Sequence, residues 1–511
     1  MGQNFIEGSR EQAFLMPPSL REWLPEDHLA WFVIDAVERL DLAAFYAAYR
    51  ADGHGRAAYE PSMVVTLVLY AYSTKERSSR GIERHCRQDI AYRVITANLV
   101  PDHATIARFL TRHQDALAEL FGAVLGLCAK AGLVKSGVVS IDGTKMHGNA
   151  SREQNVDHGR IAKEIIDEAI ATDEAEDEEH GDARGDELPP ELSTEAGRRE
   201  WLARELAAQR GADSDTEAEG SEPDPGQGFD VERIVARGQG RSGWLREAKR
   251  QLDQDRWIAP APVPRSRSAR LREAGRRLED DLGAEQRGND AYEQYRATAK
   301  DRLGRRLGSY PARAYQPPAT PEGTVNLTDP DTHLMKGQHG YVQGYNAQAV
   351  VNESQIVLAA EITIDASDFS HLRPMIAATR RELEHAGVSD APQVAVADAG
   401  FWNEQQMDDV MADGIAVLIP PDSGKRDGER PGWTGGRYTW MRRVLATELG
   451  GELYRKRKQT VEPLFGHTKH NRQFDRFRQR GRAAVRTEWR LMMMTHNLTK
   501  LHSHQTATGG P

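Results

Sequence analysis

A single glutamate, Glu462, lies near the start of the most basic part of the chain. Residues 454–490 contain twelve lysines and arginines against three acids. A carboxylate among so many cations predicts a site that binds a metal ion and also accommodates a polyanion. Hydrolysis or transfer of a phosphodiester needs such a site, because two divalent ions about 4 Å apart stabilise the attacking and leaving oxygens.

A helix must position this glutamate. Lys469 follows Glu462 by seven residues, so two helical turns would place both side chains on one face. Pro463 has no backbone N–H, and its ring collides with the carbonyl of residue 459 inside a helix. The sequence therefore predicts that a helix begins or kinks near Thr460, with Thr460 as its N-cap and Glu462 in its first turn.

The spacing of this segment carries a family resemblance. The E-x6-K pair of Glu462 and Lys469, with Tyr454 and the basic run 455–458 upstream, resembles the signature helix of DDE transposases of bacterial insertion sequences. In that family a Tyr and an Arg stand seven and four residues before the Glu. Those positions hold Arg455 and Lys458 here, and Tyr454 and Arg457 each lie one residue further out.

The resemblance implies a ribonuclease-H-like core in which this glutamate and two aspartates are catalytic. It also implies that the three acids hold two Mg²⁺ ions, for which Mn²⁺ can substitute. The ions would activate water and then a DNA 3′-hydroxyl, and Lys469 would position a phosphate. Two further aspartates must therefore occur elsewhere in the chain.

Two aspartates each accompany a short, β-branched run that predicts a buried strand. Asp142 comes after VVSI, and Asp398 ends QVAVAD. Taken alone, Asp142 before Gly143 is better explained as a turn former. The resemblance instead makes Asp142, Asp398 and Glu462 the catalytic residues and the metal ligands, and carboxylates are the ligands that Mg²⁺ prefers.

Other polar and aromatic residues are candidates for DNA contact. His467 and His470 could bind zinc, but no cysteine pair accompanies them, so DNA contact or solvation is the better explanation. Trp402 could stack on a displaced base, although packing after a strand is the commoner role. The predicted DNA-binding residues are Arg108, Arg112, Arg455, Arg457, Lys458, His467, Lys469, Arg472 and Trp402.

Residues 17–135 carry helical periodicity. Within 78–113, Ser78 or Ser79 can cap a short helix, 98–101 break the chain, and Asp102 can cap the helix that bears Arg108 and Arg112. This order fits a helix-turn-helix reader of DNA and equally an ordinary helical bundle. The stretch also resembles the N-terminal helical domain that precedes the catalytic core in this transposase group, which favours DNA contact.

Composition bounds the remaining possibilities. A chain of 511 residues with 39% hydrophobic residues predicts two or three folded units. The net charge of −10 is misleading for a DNA-binding protein, because residues 164–186 alone hold eleven acids and one arginine. Cys86 and Cys128 form no CxxC pair, which argues against a disulfide framework. Without an 18-residue apolar run or a signal-peptide core, we expect a cytoplasmic, nucleoid-associated bacterial protein and no membrane.

The order of elements predicts the architecture. After the helical domain 1–135, a catalytic core is split into 136–150 and 325–505 by the insertion 151–324. The insertion has charged helical patterns whose arginines either form a solvated face or grip DNA as an arm. Strand, insertion, hairpin, helix, strand, helix, strand, a Gly-rich loop at 421–438 and a helix indicate a mixed α/β, ribonuclease-H-like fold rather than a doubly wound one.

The sequence thus predicts a transposase that binds the terminal inverted repeats of its insertion sequence and cleaves and transfers DNA strands with Mg²⁺. Its partners would be double-stranded DNA, at the transposon ends and the target, and a second copy of the chain in a synaptic dimer. Two alternatives remain open. One is a domesticated nuclease that cuts without joining, and the other is a DNA-binding repressor that no longer catalyses.

Overall fold

The structure of the chain is a computed structural model that describes residues 19–49, 57–180, 240–258, 264, 266–298, 314–337, 340–422 and 435–509. Most of the predicted Gly-rich loop and the middle of the predicted insertion lie outside these residues. Two compact units are distinguished, Met1–Gln154 with Thr328–Pro511 and Asn155–Leu327.

The N-terminal part of the first unit is helical, as predicted. Ser78 and Asp102 cap the fourth and sixth helices with their side-chain oxygens, and Pro61 occupies the first turn of the third. Asn98 has a positive φ of 63° in the predicted break. The helices are α1 (Leu29–Glu38), α2 (Ala43–Ala47), α3 (Pro61–Ser73), α4 (Ser79–Gln88), α5 (Ile90–Ile95), α6 (His103–Arg112) and α7 (Gln114–Lys130).

A mixed sheet follows, which confirms the α/β class. Its central strand β1 pairs antiparallel with β5 and parallel with β7, while β6 pairs with β5 and β8 with β7. The order is therefore β6-β5-β1-β7-β8, with β4 paired to the first part of β5. The strands of the first unit are β1 (Val138–His147), β4 (His333–Gly337), β5 (Gly340–Asn352), β6 (Val357–Thr363), β7 (Val394–Ala397) and β8 (Ala416–Leu418).

One boundary differs from the prediction. Asp142 was expected at the end of its strand, but β1 continues five residues further, to His147. Gly143 is a strand residue because a Cβ there would lie 2.2 Å from Gln348 Nε2 and 2.6 Å from Asp368 Oδ1. The glycine therefore serves close packing, and the turn that its sequence indicated does not form.

Helices cover the sheet and join it to the N-terminal helices. The last helix buries Trp489 and the run Met492–Met494, as predicted, and Asn497 exchanges two hydrogen bonds with the backbone of Val357 on β6. One hydrophobic core contains both the N-terminal helices and the sheet. These helices are α11 (Leu372–His385), α12 (Glu404–Ala412), α13 (Gly436–Ala446), α14 (Glu448–Gly466) and α15 (Arg482–Thr508).

The prediction that a helix begins near Thr460 is wrong. Helix α14 begins at Glu448 with Thr447 as its N-cap, runs through Pro463, and is followed by a π-helical turn over His467–Asn471. Pro463 leaves the carbonyl of Gln459 without its helical partner. The side chain of Gln355 donates to that carbonyl at 2.9 Å, so the helix continues through the proline.

The second unit contains the charged helices predicted for the insertion. They are α8 (His158–His180), α9 (Gly240–Ile258) and α10 (Arg267–Thr298), with the short strands β2 (Asn155–Val156) and β3 (Val325–Asn326). Trp244 of α9 packs on Tyr292 and Tyr295 of α10. Many of its arginines pair with acids of the same unit, such as Arg256 with Asp281 at 2.8 Å, which favours the solvated helical face over a DNA-gripping arm.

Candidate catalytic site

The pairing of β1 with β7 brings the two predicted catalytic aspartates together. In this parallel pair Ile141 lies opposite Ala397, so Asp142 and Asp398 come next on adjacent strands. Neighbouring strands are about 4.8 Å apart. Asp142 accepts a hydrogen bond from the N–H of Gly143, and Asp398 caps a short 3₁₀ turn through the N–H of Gly400.

Helix α14 places Glu462 beside the same strand. Thr460, which is buried, donates from its hydroxyl to the hydroxyl of Ser140 on β1 at 2.6 Å. Ser140 and Thr460 each stand two residues before a predicted catalytic acid, Asp142 and Glu462. This single hydrogen bond therefore fixes the helix against the strand where both acids leave the backbone.

A guanidinium lies at the centre of the three acids. Arg457 Nη2 is 3.7 Å from Asp142 Oδ2 and 3.8 Å from Asp398 Oδ2, and its Nη1 is 3.1 Å from Glu462 Oε1. The Arg457 side chain is 13% exposed. The three carboxylates come from three separate elements and share one positive charge.

Comparison with known domain families decides what this chain is. Residues 18–112 match the family described as Transposase domain (DUF772), and residues 432–502 match the Transposase DDE domain family. The chain belongs to the DDE transposases of insertion sequences. No curated protein and no solved structure matches the chain.

The matched ranges divide the site of this transposase. Arg457, Glu462 and Lys469 lie within the DDE match, whereas Asp142 and Asp398 lie outside both matches. Arg108 and Arg112 lie within or at the end of the N-terminal match. The two aspartates therefore rest on the strand register and on the shared contact with Arg457.

Burial sets the electrostatics of Asp142. Its side chain is 15% exposed, and burial raises its pKa from 3.8 to about 7, although Arg457 acts in the opposite direction. The charge of Asp398 raises this pKa further. At neutral pH the transposase therefore holds Asp142 close to its midpoint of ionisation.

Replacing Asp142 by asparagine should stabilise the metal-free transposase above pH 7. Because the folded-state pKa is raised, ionisation of Asp142 reduces stability progressively as the pH rises from 3.8 to about 7. Asparagine removes that cost, roughly 2–4 kcal/mol at pH 8 and close to none below pH about 4. Urea unfolding of both proteins at the two pH values measures the difference. A less stable variant at pH 8 would contradict this account of the site.

Metal binding requires a change at the centre of the site. Among the described residues, no group of three or more His, Cys, Asp or Glu side chains could hold a metal ion as arranged. The guanidinium of Arg457 lies between Glu462 on one side and the two aspartates on the other. The donor set nevertheless fits Mg²⁺, because it consists of hard carboxylate oxygens already grouped around one positive charge.

Sequence reasoning missed a fourth acid beside this site. Asp368 Oδ1 accepts from the side-chain amides of Asn346 at 2.7 Å and Gln348 at 2.6 Å, and Lys145 Nζ lies 3.5 Å from its Oδ2. Its negative charge contributes to the raised pKa of Asp142. Asp368 follows strand β6 in a polar turn, so the rule that found Asp398 could have found it.

The predicted DNA contacts of the basic block fall into two groups. Arg455 and Lys458 are exposed on α14. Lys469 donates to the Thr144 hydroxyl at 2.6 Å and to the carbonyl of Lys145 at 2.9 Å, and so ties the π-helical turn to β1. Arg472 is 3% exposed and donates to the carbonyls of Met492 and Tyr72 and to the Thr495 hydroxyl. Its placement does not support contact with DNA.

The remaining candidates are held by neighbours to different degrees. Arg108 is exposed on α6 and bonds only Thr105 nearby, whereas Arg112 donates to the Ala48 carbonyl and lies over the Tyr49 ring. Trp402 is 5% exposed and stacks on Tyr438, which favours packing over base stacking. His467 packs against His496, and burial lowers its pKa.

Proposed function

We propose that this transposase binds the terminal inverted repeats of its insertion sequence and catalyses Mg²⁺-dependent strand cleavage and strand transfer through a ribonuclease-H-like core. The convergence of Asp142, Asp398 and Glu462 on one cation carries the proposal. The sheet order supports the core, because antiparallel strands lie on one side of β1 and parallel strands on the other. We further propose that two copies of the chain act together on double-stranded DNA.

In this proposal the three acids would hold the metal. Bound Mg²⁺ supplies charge stabilisation for the attacking and leaving oxygens of a phosphodiester. Arg457 balances the carboxylates when no divalent ion is present, and it must leave the centre before all three can serve as ligands. Lys469 and Thr460 keep the helix and the π-helical turn on β1, so that Glu462 stays in place when Arg457 moves.

We expect affinity for duplex DNA to fall steeply with salt. Each phosphate that a lysine or arginine neutralises contributes a slope of about −0.9 in log K against log salt. Changing the exposed Arg455 or Lys458 to glutamine should reduce the slope by that amount. Changing Arg373, which removes the same charge but pairs with Asp409 at 2.9 Å, should leave it unaltered. A flat profile for the unaltered protein would exclude phosphate binding by the basic block.

The function itself is tested with the DNA that flanks the coding region. A labelled duplex bearing the flanking inverted repeats should be cut at the element's end with Mg²⁺ or Mn²⁺ and then joined to a second duplex. Cutting without joining would indicate the nuclease alternative. Binding without either reaction, in protein shown to be folded, would indicate the repressor alternative.

A further inference from the structure

A basic pocket lies beyond the end of β1, away from the three carboxylates. It has a volume of about 510 Å³ and is lined mainly by His147, Arg152, Tyr341, Arg476 and Arg480. None of the described residues that line it is acidic. A concave site with three guanidinium groups and an aromatic ring has the composition of an anion site.

Hydrogen bonds hold the two walls of this pocket together. The N–H of His147 donates to the carbonyl of Asp475, and the N–H of Phe477 donates to the carbonyl of His147 at 2.8 Å. Arg476 is thereby held beside His147 in a parallel bridge. Further along, Asn149 donates to the carbonyl of Arg478 at 2.7 Å, and Arg480 Nε donates to the carbonyl of Asn149 at 3.2 Å.

The cations of the pocket remain available for a ligand. Within the described part of the chain, Arg152, Arg476 and Arg480 form no ion pair with a carboxylate, and Arg476 is exposed. Arg152 lies over the ring of Tyr341, 5.8 Å from its centroid, and the Tyr341 residue is 61% exposed. Burial and the charge of Arg476 lower the pKa of His147, so near neutral pH the positive charge comes from the arginines.

We propose that this basic pocket binds a backbone phosphate of the DNA, with the Tyr341 ring against the adjoining sugar or base. Guanidinium groups match phosphate oxygens in pairs, and an exposed aromatic ring stacks on nucleotides of any sequence. The inference rests on the proposed function for its ligand class, but it concerns residues that take no part in metal binding.

The position of the pocket connects it to the catalytic site. His147 follows Asp142 by five residues of the same strand, which corresponds to about 17 Å at a strand rise of about 3.3 Å per residue. A duplex rises about 3.4 Å per base pair along its axis, so about five base pairs span that distance. One DNA molecule can therefore occupy both places.

Salt dependence of DNA binding tests the pocket without any cleavage. A duplex of random sequence is used with the full chain and without divalent metal. Arg476→Gln and Arg152→Gln, which lie on different walls, should each lower the magnitude of the salt slope by about 0.9. The matched control Arg380→Gln removes an exposed arginine that pairs with Asp413, and its slope should equal that of the unaltered protein. Equal slopes for all four proteins would overturn the proposal.

A change that removes no charge tests the aromatic part. Tyr341→Leu should weaken binding at least about fivefold while leaving the slope unaltered, because stacking does not release counterions. Unaltered affinity would remove Tyr341 from the site. If Arg476→Gln changes the slope but the unaltered protein never cuts DNA with Mg²⁺, the proposed function fails and the pocket stands. The reverse pattern, cutting with an unaltered slope in Arg476→Gln, rejects the pocket alone.

Discussion

Changing Glu462 to glutamine is expected to reduce Mg²⁺-dependent strand cleavage by orders of magnitude while DNA binding survives. Glutamine keeps the size and hydrogen-bonding capacity of the side chain but removes the charge that would hold the ion. The Glu462 side chain is 50% exposed, and its contact with Arg457 is an exposed pair worth at most about 1 kcal/mol. Loss of cleavage would therefore not be a consequence of unfolding.

Cleavage of a labelled end duplex beside a gel shift on the same DNA measures this effect. Asp142→Asn and Asp398→Asn should behave like Glu462→Gln. Glu448→Gln is the matched control, because Glu448 is an exposed glutamate in the first turn of the same helix. Binding by Glu462→Gln without metal could improve, since a negative charge near the scissile phosphate is removed. Cleavage by Glu462→Gln at the rate of the control would reject the three-carboxylate mechanism.

Changing Glu488 to alanine is expected to lower the free energy of unfolding by about 3–5 kcal/mol. Glu488 lies on α15, is 1% exposed, and pairs with the buried Arg77 at 3.0 Å. It also accepts the backbone N–H groups of Arg478 and Gln479 at 2.9 Å each. Alanine would leave a buried guanidinium without its counter-charge and two amides without their acceptor, which is the costly way to break a buried pair.

Urea unfolding compares this variant with Asp413→Ala, which removes one partner of the exposed pair with Arg380. The exposed pair should contribute less than about 1 kcal/mol. Replacing Arg77 and Glu488 together by methionine and leucine should recover part of the loss, because no buried charge then remains unpaired. A Glu488→Ala cost no larger than that of Asp413→Ala would show that Glu488 does not join the N-terminal helices to the sheet.

Local sequence signals were sufficient where one element carried the information. The β-branched run before Asp398 predicted strand β7 and its end, and Ser78 and Asp102 predicted two helix starts through their capping oxygens. Asp142 was assigned to the correct strand but to the wrong place in it. Gly143 has the local pattern of a turn residue, and only the side chains of β5 and its neighbours show why a glycine is needed there.

Signals failed where the partner is distant in the chain. Pro463 predicted a helix start, but Gln355, more than a hundred residues earlier, satisfies the carbonyl that the proline leaves free. Composition likewise assigned Arg457 and Arg472 to DNA, whereas the fold pairs the first with carboxylates from two strands and a helix and buries the second. Charge counts cannot distinguish a cation that faces solvent from one that the fold uses internally.

Counting bound Mn²⁺ by electron paramagnetic resonance tests the central claim most directly. The claim is that Asp142, Asp398 and Glu462 hold divalent ions in place of Arg457. At pH 8 with duplex DNA, the unaltered chain should bind about two Mn²⁺ ions at this site. Arg457→Gln should bind them more tightly, because the competing guanidinium is gone, and Asp142→Asn should lose at least one ion. Identical Mn²⁺ binding by all three proteins would contradict the account.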